Sequence, residues 1–264
     1  MIEQIVLGLV QGIAEWLPVS SEGLIVLVQS YFFQTNKNLD ALVADALFLH
    51  LGTVFAAIVY FHKDIHRYVK AMVSWKDVAT GDKNVIIFLV ITTVISGGLG
   101  YALLQVLVTI EEKLQSSTMY VIVAIGFMLL ITGALQFIKP RQSHRTDINI
   151  HTTDGVLMGV VQGFAAIPGL SRSGLTVAGL LLRNYDKEAA LRISFLMSIP
   201  IVLAGNVVFA IGDTSFDPIT LVGLVVAFVS GLITIAALIR LARKINFGYF
   251  VIIFGLITIA SAFI

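Results

Sequence analysis

The chain has 264 residues, of which 58% are hydrophobic, 12% are charged and none is cysteine, and its mean hydropathy is +0.95. Soluble domains are about 45–50% apolar and about 25% charged, so this composition excludes a water-soluble globule, a disordered chain, a disulfide framework and thiolate chemistry. The 17 Lys and Arg against 16 Asp and Glu leave a net charge of +1 and no basic field, so we predict an integral membrane protein without a nucleic-acid partner.

Two apolar segments are interrupted near their middle. Residues 2–36 contain the break EWLPVSSEG at 15–23, and residues 155–182 contain the break IPGLSRSG at 167–174. The arms beside each break have roughly 8 to 14 residues, or about 12–21 Å of helix, whereas the apolar core of a bilayer is about 30 Å thick. Each segment is therefore either one interrupted crossing or a re-entrant hairpin.

The other apolar stretches have the length of spanning helices, which need about 20 residues. They are residues 41–62, 85–110, 114–138, 193–212, 218–239 and 245–264. Residues 62–78 follow the first of them and have the pattern of an amphipathic helix on the inner leaflet.

The positive charges decide how the broken segments are threaded, because Lys and Arg collect in cytoplasmic loops. Arg172 lies within a break, so sixteen of the 17 Lys and Arg lie outside the breaks. If both segments crossed the membrane, eight would fall on each side; if both are hairpins, all except Lys37 and Lys113 share one side. The charges therefore favour two re-entrant hairpins, with both chain termini outside.

Each half then contains one hairpin and three crossings, so the second half repeats the first with inverted topology. LGLVQGIAEWLPVSS at 7–21 resembles MGVVQGFAAIPGLSRS at 158–173, which supports a repeat. We predict an all-α polytopic membrane protein of six transmembrane helices and two re-entrant hairpins. The first repeat is 1–138, the linker 139–153 and the second repeat 154–264. Inverted repeats with broken helices place their site near the midplane, where the breaks meet.

Glu15 in the first break and Arg172 in the second are charges predicted to lie at membrane depth. A charge there costs about 2.5–3.5 kcal/mol on insertion scales, so such residues pair or line a wet cavity and are functional by default. A purely structural ion pair is the alternative. Because the two breaks are expected to meet, we predict that Glu15 and Arg172 face each other.

The second break has the composition of an anion cradle. Ser171, Ser173 and Thr176 surround Arg172, and Gly169 allows a ligand to approach the backbone closely. The start of the following helix offers free N–H groups, and the planar guanidinium suits two phosphate oxygens. The alternative is that these hydroxyls serve helix packing. With Arg172 among them, we predict a site for a phosphate or carboxylate group.

The first break supplies groups that could activate a nucleophile. Gln11 and Glu15 share a helix face, and Ser20 and Ser21 follow Pro18. Glu15 could act as a base, or equally as an oxygen ligand for Mg²⁺ or Ca²⁺. His50 is predicted as a hydrogen-bonded buried histidine, with a catalytic role as the alternative.

Two motifs now identify a family resemblance. QGIAEWLPVSSEG at 11–23 and PGLSRSGLT at 168–176 resemble the two signatures of the undecaprenyl-diphosphate phosphatase family, of the bacitracin-resistance type. LHLGTVFAAIVYF at 49–61 resembles the third-helix region of that family, and the resemblance covers essentially the whole chain. Many members have His where this chain has Leu24 and a second Glu where it has Gln11. The missing His and the segment WLPVSSEG at 16–23 resemble archaeal-type members more closely.

The resemblance implies hydrolysis of a polyprenyl diphosphate to the monophosphate and inorganic phosphate, which recycles the lipid carrier of cell-envelope glycans. It implies dependence on Mg²⁺ or Ca²⁺ and a plasma-membrane site that opens outward. By motif position Glu15 would be the base or a metal ligand, and Ser21 the nucleophile. Arg172 would hold the diphosphate, with Ser171, Ser173 and Thr176.

Several alternatives stay open at the level of sequence. A transporter or flippase for an anionic lipid or small anion would use the same inverted-repeat architecture. An intramembrane serine protease would need a Ser–His dyad, for which only His50 is placed, so we set this alternative aside. The expected partners are the polyprenyl lipid and membrane lipids. A homodimer is one assembly that the chain could form.

Overall fold

The computed structural model describes residues 1–33, 39–114, 118–138, 145–146, 149–211 and 218–263, which contain helices and no strand. The helices are α1 (Ile2–Ala14), α2 (Ser21–Tyr31), α3 (Leu39–Tyr60), α4 (His62–Val73), α5 (Thr80–Leu114), α6 (Thr118–Leu135), α7 (Thr152–Gly163), α8 (Arg172–Leu182), α9 (Lys187–Ile211), α10 (Thr220–Lys244) and α11 (Gly248–Ser261). The prediction of an all-α membrane protein is confirmed at this level.

Three helices are long and apolar enough to cross a membrane, and they lie at Thr80–Ile110, Lys187–Val208 and Thr220–Leu241. A fourth candidate is formed by Ala44–Tyr60, which continues into α4 after a bend of 83°. The bend separates an apolar helix from an amphipathic one, as the sequence pattern of residues 62–78 predicts. In the described residues α6 and α11 are shorter than the predicted spans at 114–138 and 245–264.

Both predicted breaks separate two short helices. α1 and α2 have 13 and 11 residues, and α7 and α8 have 12 and 11. In the first break Ser20 adopts a left-handed conformation, with φ of 62°, and its hydroxyl caps α2 by accepting from the Gly23 N–H. In the second, Gly169 has φ of +93°, a conformation that L side chains rarely adopt, and Ser171 caps α8.

The short helices pack against the opposite half of the chain. α1 lies against α10, and α7 lies against α5, while α3 contacts α9 and α10 and α6 contacts α11. Glycines permit the first two crossings: a Cβ on Gly12 would lie 2.0 Å from the Ser230 hydroxyl, and one on Gly159 would lie 2.8 Å from Cβ of Ile95. Each break is therefore held by a long helix of the other half.

A buried carboxylate fixes one end of the second short-helix pair. Asp154, at the start of α7, is fully buried and accepts hydrogen bonds from Arg145, Arg183, the Tyr185 hydroxyl and the His151 N–H. Burial alone raises the pKa of the Asp154 carboxyl, but the hydrogen bonds outweigh it and lower the pKa to about 2. Most of the predicted linker, residues 139–144 and 147–148, lies outside the described residues.

Candidate active site

Glu15 is the centre of the site, where it ends α1 with its side chain buried. Its Oε1 accepts a hydrogen bond from the Arg172 guanidinium. Its Oε2 accepts from the Ser21 hydroxyl at 2.8 Å and from Nε2 of Gln11 at 3.1 Å. The carboxylate of one break therefore binds the guanidinium of the other, as the sequence predicts, and it also binds a serine of its own break.

The two breaks also touch through their backbones. A Cβ on Gly23 would lie 3.2 Å from Cα of Gly169, and the Ser173 hydroxyl donates to the carbonyl oxygen of Leu17 at 3.2 Å. Direct contact between the tips of the two short-helix pairs thus positions Glu15 against Arg172. The two pairs form one site.

His50 enters from α3 and completes the surroundings of Ser21. Its Nε2 lies 3.2 Å from Oε2 of Glu15 and 3.3 Å from Oγ of Ser21, and its Nδ1 lies 2.6 Å from the carbonyl oxygen of Ala46. One turn later on α3, the hydroxyl of Thr53 accepts from Nε2 of Gln11 at 3.1 Å. The same helix therefore orients both the imidazole and the amide beside Glu15.

The second break is held in shape by α6. The hydroxyl of Thr132 donates to the Gly169 carbonyl at 3.1 Å and accepts from the Ser171 N–H at 3.0 Å. The hydroxyls of Ser171 and Ser173 lie 3.2 Å apart at the start of α8. Two hydroxyls, a guanidinium and a helix N-terminus thus lie together, which is a favourable environment for an anion.

Arg172 is anchored on both sides of its guanidinium. Besides Glu15, it donates through Nη1 to the carbonyl oxygen of Ser194 on α9 at 3.2 Å. Thr176 lies one turn along α8, where its hydroxyl is 2.7 Å from that of Ser194 and donates to the Arg172 carbonyl at 2.8 Å. The Thr176 side chain is fully buried, so in this structure it positions the helix start that carries Arg172.

Most of the predicted residues line one small cavity. It measures about 30 Å³. Its polar lining residues are Glu15, Ser20, Ser21, Glu22, His50, Ser171, Arg172 and Ser173.

A larger cavity of about 230 Å³ adjoins the small one and shares Glu22, His50 and Arg172 with it. Its other walls come mainly from α5, the turn at Phe164–Ala166 and α9, with Tyr101 and Ile201 among the lining residues. The lining is largely apolar. The charged groups of the site therefore lie at the end of a hydrophobic cavity.

The side chains of the site offer few ligands for a divalent cation. Within the described residues no three His, Asp, Glu or Cys side chains form a group that could hold a metal ion. Both oxygens of Glu15 accept from protein donors, so the site contains no preformed protein cage. Mg²⁺ usually keeps several waters and binds one or two carboxylates together with substrate phosphates. The residues therefore do not fit a resident ion.

Some site residues have no signal in the sequence. Thr132 and Ser194 orient the second break and Arg172 from helices that carry no recognisable motif. Glu22 is partly buried and lines both cavities. The arrangement of these three residues depends on tertiary packing between helices far apart in the chain.

Comparisons with known proteins agree with the motifs. The model of the family described as bacitracin resistance protein BacA matches residues 4–260. An undecaprenyl-diphosphatase of Methanococcoides burtonii is 40% identical over 99% of this chain and 98% of its own length. One of Haloarcula marismortui is 37% identical (95% and 93%), and one of Thermosipho africanus is 32% identical (96% and 97%).

Proposed function

The chain belongs to the bacitracin resistance protein BacA family, and from this membership and the geometry of the site we propose an integral membrane phosphatase. Its substrate is undecaprenyl diphosphate or a related polyprenyl diphosphate, which it hydrolyses to the monophosphate and inorganic phosphate. This reaction recycles the lipid carrier of cell-envelope glycan synthesis. The observation that carries the proposal is the meeting of Glu15, Ser21 and Arg172 in one buried cavity.

Recognition of the diphosphate falls to the second break. Arg172 leaves Glu15 and binds two oxygens of the terminal phosphate through its planar fork. The hydroxyls of Ser171 and Ser173 and the first free N–H groups of α8 supply further donors on the same side. Thr176 and Ser194 hold this helix start in position. These fixed donors stabilise the charge that develops on the transferred phosphoryl group.

Nucleophilic attack falls to the first break. The Ser21 hydroxyl already donates to Oε2 of Glu15 at 2.8 Å, which is the reach required of a general base. As Oγ of Ser21 attacks the terminal phosphorus, Glu15 takes the hydroxyl proton and polyprenyl monophosphate leaves. Gln11 keeps the carboxylate oriented through its own hydrogen bonds to Glu15 and Thr53. Ser20 holds the turn that presents Ser21.

The apolar cavity beside the site suits the first prenyl units. It lies between α5 and α9 and ends at Arg172 and His50, so a lipid entering there would bring its diphosphate to the charged groups. A volume of about 230 Å³ accommodates only the part of the tail next to the diphosphate. The rest of the tail stays in the bilayer, which makes the site independent of most of the chain length.

A requirement for Mg²⁺ or Ca²⁺ stays a prediction, as does the assignment of Glu15 as its ligand. We propose that the cation arrives bound to the diphosphate, since the described residues offer no cage for it. Its chemistry would be to neutralise phosphate charge. The test is phosphate release with a chelator present and after readdition of each ion.

We propose that the two halves are inverted repeats with two re-entrant hairpins and six crossings. The reciprocal packing supports this: α1 of the first half lies on α10 of the second, and α7 of the second lies on α5 of the first. The glycines at these crossings are matched too, because Gly8 and Gly12 align with Gly159 and Gly163 in the two similar segments.

The orientation in the membrane can be tested directly, because the chain contains no cysteine. We propose that both termini and the opening of the site face outward, with the charged loops in the cytoplasm. Single cysteines at Ile2 and Lys76 should then react with an impermeant maleimide from opposite sides. Assembly as a homodimer stays a prediction, for which the mass of the protein in detergent is the measurement.

The deciding experiment is release of inorganic phosphate from a polyprenyl diphosphate by purified protein in detergent. Detergent solution has no gradient or second compartment, so a transporter or flippase would release none. We expect turnover by the wild type and loss of turnover in Glu15→Ala and Ser21→Ala. Absence of phosphate release by the well-folded wild type, with either cation present, would reject the proposed function.

A further inference from the structure

His50 is partly buried, with 12% of its side chain exposed, and each of its ring nitrogens faces an acceptor. Nδ1 lies 2.6 Å from the carbonyl oxygen of Ala46, and Nε2 lies 3.2 Å from Oε2 of Glu15. A carbonyl oxygen only accepts hydrogen bonds, so Nδ1 carries a hydrogen, and a ring that carries one on Nε2 as well directs it at the Glu15 carboxylate and at Ser21. Nε2 lies 3.3 Å from Oγ of Ser21.

Ser21 needs a proton at one specific moment in the proposed reaction. When the phosphoserine forms, the leaving group is a phosphate monoester, which is a weak base and departs without help. When water then attacks the phosphoserine, the leaving group is the oxygen of Ser21, which is strongly basic as an alkoxide. A general acid must therefore stand next to Oγ of Ser21 in the second half of the cycle.

Among the described residues lining the small cavity, His50 is the group suited to this task. The Arg172 guanidinium does not give up its proton in proteins. Glu15 accepts three hydrogen bonds through its oxygens besides the contact to His50, which stabilises the carboxylate form, so in this arrangement it has no proton to give. Glu22 also lines the cavity, but within the described contacts it makes no hydrogen bond to Ser21.

We propose that His50 is the general acid that releases Ser21 from its phosphorylated form; this inference rests on the proposed function. In the first half, the Oγ–P bond forms, the anhydride P–O bond breaks, and the Ser21 proton passes to Glu15 and then leaves on the monophosphate. In the second half, water forms the new O–P bond, the P–Oγ bond breaks, and His50 Nε2 gives its proton to Oγ.

The cycle closes through the contact between the two side chains. In the second half Glu15 takes one proton from the attacking water, while the other stays on the inorganic phosphate. Glu15 then passes its proton to Nε2 of His50, over the 3.2 Å that separates the two atoms in the resting state. Carboxylate and imidazolium are thereby restored without any further reactant.

The test is accumulation of phosphoserine in His50→Gln. Glutamine retains a hydrogen-bonding amide near Ser21 but is not an acid, so the first half proceeds and the second slows by about 10²-fold or more. Purified protein is mixed with a short polyprenyl diphosphate, quenched in acid, and the mass of the Ser21 peptide is followed with time. His62→Gln is the matched control, because His62 is exposed and contacts the backbone of Val59.

Each possible result of this experiment either supports or overturns the proposal. Slow phosphate release together with a phosphorylated Ser21 peptide in His50→Gln, but not in His62→Gln, supports the proposal. Wild-type turnover by His50→Gln, or slow turnover without phosphopeptide, overturns it while leaving the proposed function intact if Ser21→Ala is inactive. A wild type that releases no phosphate overturns both.

A second variant covers a folding failure of His50→Gln. His50→Ala leaves space for free imidazole, and added imidazole should speed decay of its phosphopeptide. Decay that is indifferent to imidazole, in protein that elutes as the wild type does in detergent, counts against His50 as the acid.

Discussion

The Arg172 guanidinium donates to Oε1 of Glu15, although the two residues are 157 positions apart in the chain. The bond joins the two breaks, and both side chains are largely buried, with 14% and 7% exposed. A charge pair of this kind is stabilising only while both members are present, because removing one leaves the other unpaired in a low-dielectric environment. The pair is therefore a structural link between the two breaks, and the proposed mechanism requires substrate to displace it and free both groups.

Arg172→Ala should lower the rate of phosphate release by about 10²-fold or more, because the phosphoryl group loses its main charged donor. The unpaired Glu15 should also lower stability by about 3–5 kcal/mol. Arg172→Lys should retain part of the activity and part of the stability. An ammonium keeps the positive charge but cannot bind two oxygens as a planar fork does. Arg67→Ala is the control, because Arg67 is half exposed and its pair with Asp82 lies outside the cavity. Normal turnover by Arg172→Ala would remove Arg172 from the site.

Ser20 and Ser21 should respond differently to truncation. Ser21→Ala removes the proposed nucleophile and should leave only background phosphate release with little change in stability. Ser20→Ala removes the cap of α2 at a left-handed position and should cost about 1 kcal/mol or more. Ser20→Gly, which tolerates φ of 62°, should be the more stable of the two Ser20 variants. Thermal unfolding and phosphate release together check the set, and equal effects of Ser20→Ala and Ser20→Gly would contradict the backbone argument.

The crossing of α1 with α10 should be intolerant of added volume. A Cβ on Gly12 would meet the Ser230 hydroxyl at 2.0 Å and the Ala227 carbonyl at 2.8 Å. Gly12→Ala should therefore destabilise the protein by about 1–3 kcal/mol and displace Glu15 three residues later. Gly98→Ala is the matched control, since a Cβ there meets no atom within 4 Å and the change favours helix by up to about 1 kcal/mol. The melting temperature in detergent should fall for the first variant and rise or stay constant for the second.

Asp154 should make stability depend on pH at the acidic end. Its pKa is lowered from 3.8 to about 2 in the folded protein, so the stability it contributes is fully present above about pH 4 and is lost as the pH falls towards 2. Asp154→Asn should cost about 3 kcal/mol at neutral pH, because Arg145 and Arg183 lose their common partner. The difference in unfolding free energy between the two proteins should shrink below pH 4. A difference that stays constant down to pH 2 would show that the carboxylate contributes nothing.

The sequence predicts which residues form the site better than it predicts which residues orient them. The cost of intramembrane charge and the symmetry of the breaks predict that Glu15 and Arg172 pair, and the structure joins them. Ser194 and Thr132 could not be found in this way, since a lone hydroxyl in an apolar helix has the same pattern whether it orients a site or bonds its own backbone. His50 was expected as a buried histidine, and it is partly buried. Its distance of 3.3 Å from Ser21 depends on how α3 crosses the first break.

Boundaries were predicted less well than the order of elements. The hydropathy pattern begins the second long helix at residue 85, whereas α5 begins at Thr80 with polar residues in its first turn. Hydropathy detects where a helix enters an apolar environment, and the backbone hydrogen bonds continue beyond it. The same reason applies to α9, which begins at Lys187 rather than at 193.

The packing of α1 on α10 has a consequence for biosynthesis. The hydroxyls of Ser230 and Thr234 donate to the carbonyls of Gly8 and Gly12, each across 222 residues. At about 5–20 residues per second, a ribosome needs roughly 10–45 s to make the intervening chain. For that interval the first helix has emerged without its final neighbour, and the glycine-lined surface that will receive α10 must be sheltered by lipid or by the insertion machinery. Assembly of the catalytic centre is accordingly among the last events of synthesis.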